Sequence, residues 1–84
     1  MIYHVWCPEL GYEREDAKAI EAFSPHHAAI AWADWYDFSS NDYPIVHGMD
    51  VKVYVLPEDG VVPYEFNVSG EVERVYFASE VKND

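Results

Sequence analysis

The sequence predicts an α+β domain in which a single helix packs on one face of a mainly antiparallel sheet, in the order ββαβββ. Three observations carry that prediction. One stretch has a helical period, with Ala28, Ala31, Trp32, Trp35 and Tyr36 forming a stripe. Several others alternate with a period of two, Val51-Val53-Val55 most clearly. Between them lie clusters of Gly, Pro, Ser, Asn and Asp, the residues that end elements.

Taken in order, residues 2–7 read as a strand stopped by Pro8. Residues 8–16 form a polar loop with Gly11, Glu9, Glu13, Glu15 and Asp16. A second strand is expected over about 17–23, where Ala19, Ile20, Ala22 and Phe23 are apolar. Ser24 then suits a helix N-cap, and Pro25 suits the first helical position, where its missing N–H costs nothing. The helix runs over about 25–37, and 38–49 is a loop. The third strand spans 51–56, and Pro57-Glu58-Asp59-Gly60 is a tight turn by residue type. A fourth strand is expected over 61–68, with an edge or bulge near Pro63 because proline cannot donate to a ladder. Ser69-Gly70 turns the chain into a last strand over 72–79, and 82–84 should fray. One helix covers one sheet face, so the other is expected to stay open and to serve a partner or a second copy.

The 84 residues form one domain, 1–84, with no internal repeat. Sixteen acidic against five basic side chains give a formal charge of −11. That balance argues against direct nucleic-acid binding, since phosphates require a basic footprint, and it favours a positively charged protein partner. Cys7 is the single cysteine, so no internal disulfide forms and a reducing cytosol suits the chain. No basic n-region precedes an apolar run, and the longest such run, 28–33, is far short of the ~20 residues of a membrane span. A cytoplasmic protein without a membrane segment is expected.

His26 and His27 are adjacent on a helix and do not converge as an i, i+4 pair would, while His4 and His47 lie elsewhere, so no metal site is expected. Cys7, at a strand end beside Pro8, has no helix N-terminus to lower its pKa and reads as a core residue. There is no Gly-rich phosphate loop, and Trp32, Trp35 and Tyr36 read as core. The expectation is a protein that is not an enzyme and takes no cofactor.

Strand direction places the charges. If strands alternate and the helix returns the chain, the 8–16 and 38–49 loops and the 69–70 turn gather at one end. Glu9, Glu13, Glu15, Asp16, Asp34, Asp37, Asp42, Asp50, Glu71 and Glu73 then crowd a single pole, and all but Asp50 are assigned as partner-binding residues. Asp34 and Asp37 also lie at the negative end of the helix dipole, a cost that favours a binding role.

At Ile20-Glu21-Ala22-Phe23-Ser24-Pro25-His26-His27-Ala28-Ala29 the chain resembles small phage- and prophage-borne proteins that include anti-CRISPR inhibitors, in which a strand feeds a Ser-initiated helix across a small sheet. The resemblance implies a DNA-mimic inhibitor that blocks the basic nucleic-acid-binding groove of a type I CRISPR surveillance complex in the host cytosol. It carries over no individual binding residue. Two other readings are an antitoxin or immunity protein for a basic nuclease, and an accessory domain that forms a homodimer through its open sheet face.

Overall fold

The computed structural model describes residues 1–40, 44, 45, 48–70 and 76–81. The elements are β1 (Ile2–Trp6), β2 (Lys18–Glu21), α1 (Pro25–Ser40), β3 (Val51–Pro57), β4 (Tyr64–Gly70) and β5 (Tyr76–Glu80), with short 3₁₀ turns at Pro8–Leu10 and Arg14–Asp16. The five strands make one sheet in the order β2-β1-β3-β4-β5, and every neighbouring pair is antiparallel. This is the expected α+β arrangement in the expected element order.

β2 and β3 both run opposite to β1, so they are parallel to each other and need a crossover rather than a hairpin. α1 is that crossover. Its start matches the sequence reading: the Ser24 hydroxyl oxygen accepts the His27 amide at 3.2 Å, and Pro25 is the first helical residue. The buried face differs from the expected stripe. Ala31 is exposed, whereas Ala28, Ala29, Trp32, Ala33 and Asp37 are buried and Trp35 and Tyr36 are half-buried. Three small alanines let the helix backbone approach the sheet, and Trp32 fills the space between them.

The sheet supplies the other half of the core. Tyr3 and Val5 of β1, Val51, Val53 and Val55 of β3, Phe66 and Val68 of β4, and Tyr76 and Ala78 of β5 face the helix. Tyr12 sits edge-on to Trp32, Trp35 and Tyr36 at 5.8, 5.9 and 6.0 Å, so the 8–16 segment is a packed clamp and not merely a polar loop. Lys18 lies 4.7 Å over the Trp35 ring and shields its outer side. On the opposite sheet face, Trp6 stacks on Tyr54 at 5.7 Å beneath the Arg14 guanidinium, which leaves it 6% exposed. On that face the chain itself buries Trp6, while Asn67, Ser79 and the half-exposed Phe77 stay open to solvent.

Several element boundaries move. α1 runs on to Ser40, three residues past its expected end at 37 and into the expected 38–49 loop. β2 ends at Glu21, so Phe23 lies outside the strand and is 97% exposed. β4 begins after Pro63 and continues through Gly70, because proline has no amide for the ladder; Val61 and Val62 stay outside it. Residues 72–75 of the expected last strand lie outside the described residues.

Asp37 is fully buried at the C-terminal end of α1, which corrects its assignment as a surface charge. Its Oδ1 accepts the Ile45 amide at 2.9 Å and its Oδ2 accepts the Tyr76 hydroxyl at 2.8 Å. The unfavourable helix-end position thus has a structural return: one carboxyl ties the helix to β5 and to a following segment whose Ile45 enters the core. Asp37→Ala, leaving both donors without this acceptor, is expected to cost about 3 kcal/mol, seen as a lower urea midpoint with an unchanged m-value. Asp37→Asn, which keeps one acceptor oxygen, should lose less.

Candidate docking surface

The ends of the sheet carry most of the charge. At the end where β1 finishes and β2 and β3 begin, Glu9, Glu13, Glu15, Asp16 and Asp50 are exposed, and Asp34 is exposed on the outer side of α1. Three of these also do local structural work. Glu9 Oε1 accepts the Lys52 amide at 2.6 Å and joins the first 3₁₀ turn to β3. Glu13 and Asp16 cap the second 3₁₀ turn reciprocally, with Asp16 Oδ2 accepting the Glu13 amide at 3.2 Å. Asp37 is inside, as described above. Asp42, Glu71 and Glu73 lie outside the described residues.

The six exposed acids gather at that end as expected, but they do not stand alone there, nor is the other end free of charge. Arg14, Lys18 and Lys52 share the pole with its six exposed carboxyl groups. The opposite end, where β1 and β4 begin and β2, β3 and β5 finish, bears Glu21, Glu58, Asp59, Glu65 and Glu80. Among the described residues no Lys or Arg side chain accompanies them; the N-terminal ammonium donates to the Ala22 carbonyl there at 3.3 Å. The lysines at the first end were not foreseen: Lys18 is the first residue of β2 and Lys52 the second of β3.

This second end also carries exposed apolar side chains. Phe23 is 97% exposed, Val61 85%, Val62 76% and Tyr64 41%. Sequence reasoning placed Phe23, Val61 and Val62 in strands and so missed them as surface. The available signal was Pro63, whose effect on the ladder extends back along the two valines. His26 and His27 stand here too. The His26 Nε2–H donates to the Ala78 carbonyl at 2.6 Å, and His27 Nδ1 lies 2.7 Å from the Ser24 hydroxyl. Among the described residues no group of three His, Cys, Asp or Glu side chains is placed to hold a metal ion.

Cys7 is wholly buried at the end of β1, and burial pushes its thiol up to about 11. The Leu10 amide opposes this shift, Glu9's charge adds to it, and the Glu9 amide opposes it. At pH 8 only about one molecule in a thousand would carry the thiolate, the form that reacts. Iodoacetamide at pH 8 should therefore leave the folded protein unlabelled and modify one cysteine per chain after unfolding in guanidinium. Mass spectrometry reads both.

Compared with known proteins, the chain matches no family model, no curated protein and no solved structure.

Proposed function

We propose that this chain is an acidic inhibitor protein that occupies a cationic groove otherwise used for nucleic acid, as an anti-CRISPR of a type I surveillance complex would. The observation that carries this reading is the amount of negative charge on so small a body: −11 over principal extents of 34 × 27 × 23 Å. One strand of a duplex carries a phosphate about every 3.4 Å, or roughly ten over the same length. The protein therefore matches the charge of a single strand, at about half the density of a full duplex. The described acids occupy both ends of the sheet, so the imitation draws on the whole body and not on one pole. The resemblance over residues 20–29 supports the choice of partner.

Charge of this kind acts through steering and counterion release, so it is sensitive to salt. Binding to a purified type I surveillance complex should weaken by about tenfold or more between 50 and 200 mM salt. Prior loading of target DNA should abolish it. Binding that ignores both salt and DNA would remove the mimicry reading.

A further inference from the structure

We propose that the groove between the start of α1 and the ends of β4 and β5 docks a basic protein segment through one large apolar side chain. The inference rests on the proposed function for the class of partner, a cationic protein, and adds where and how that partner is held.

The groove arises from a step in the sheet. Glu80, the last residue of β5, pairs with Phe66, so the first residues of β4 project past the end of β5. α1 starts at Pro25 and does not cover the projection. Ser24, Pro25 and His26 form one wall, while Tyr64, Phe66 and Glu80 form the other, around an open volume of about 360 Å³. A second depression continues from it past Tyr64 and Glu80 to Val62 and Pro63. At the low end of the usual range for ligand sites and open to solvent, the first volume suits a side chain better than an enclosed small molecule.

Two features decide the occupant. The groove is bordered by exposed apolar surface, with Tyr64 at 41%, Val62 at 76% and Val61 at 85% exposure. Exposed valines beside a tyrosine at a strand end leave apolar area in water that a partner would recover. Glu80 lines the groove and Glu65 the depression that continues it, Glu58 and Asp59 are exposed in the turn before β4, and no described Lys or Arg side chain lies at this end. A wholly apolar partner would strip water from these carboxylates without replacing it, and a wholly basic one would leave the apolar wall wet. A segment with Lys or Arg on both sides of one aromatic or aliphatic residue satisfies both requirements. The wall is also set in advance: the His26 ring is fixed by its bond to the Ala78 carbonyl and packs 6.0 Å from Phe66, so little ordering remains to be done on binding.

The test uses the full chain and a defined probe, the peptide acetyl-Lys-Arg-Trp-Arg-Lys-amide, with acetyl-Lys-Arg-Ala-Arg-Lys-amide as the equal-charge control. Amide shifts in an NMR titration should concentrate at His26, Tyr64, Phe66 and Glu80. Val62→Ser and Tyr64→Ser change exposed positions and should each weaken the peptide by about tenfold. Glu80→Gln should lower both the affinity and its dependence on salt. The alanine peptide binding as tightly as the tryptophan peptide, or shifts centred on Glu13 and Asp50, would overturn the groove. Because the probe contains no surveillance complex, its failure counts against the groove alone, and failure to bind that complex counts against the proposed function alone.

Discussion

β1 lies between two strands that both run against it, and this sets the rest of the molecule. The chain leaving β2 must cross the sheet before β3 can begin, and sixteen residues of α1 make that crossing. At a rise of 1.5 Å per residue the helix is about 24 Å long, enough to traverse the sheet in one element. Close approach then depends on Ala28, Ala29 and Ala33, with Trp32 as the single large residue that fills the seam. The flanking segments are fixed to this helix: Tyr12 against its aromatic residues, Lys18 over Trp35, Ile45 and Tyr76 on Asp37.

Much of this plan is written locally, and those parts were legible in the sequence. Ser24-Pro25 states where the helix starts, because a cap and a fixed φ act within one turn. Val51-Val53-Val55 states which face of β3 is inside, because alternation is a property of the strand itself. What was not legible depends on partners distant in the chain. Asp37 reads as a surface acid until Tyr76, 39 positions away, offers a hydroxyl. Tyr12 reads as part of a polar loop until three helix rings surround it. Phe23 reads as a strand residue because nothing near it in the sequence says that the ladder with β1 ends at Glu21.

The same division explains the electrostatics. Strand direction tells which end each acid approaches, and that reasoning placed Glu9, Glu13, Glu15, Asp16, Asp34 and Asp50 together. It does not tell which carboxyls are used to cap a turn or hold a strand amide, as Asp16 and Glu9 are. Nor does it weigh the lysines at the starts of β2 and β3. The result is one end where charge is mixed with cations and structural duty, and another where carboxylates surround exposed hydrocarbon.

β5 is an outer strand of the sheet, with β4 as its single ladder neighbour. Such strands are where one chain recruits another into fibres, once thermal motion peels them loose. Here the strand has two further attachments on its helix side, the Tyr76 phenol at its beginning and the Ala78 carbonyl accepting from His26 near its middle. Detaching β5 means breaking both of these with the ladder, so resistance to aggregation is built into the contacts that seat the helix.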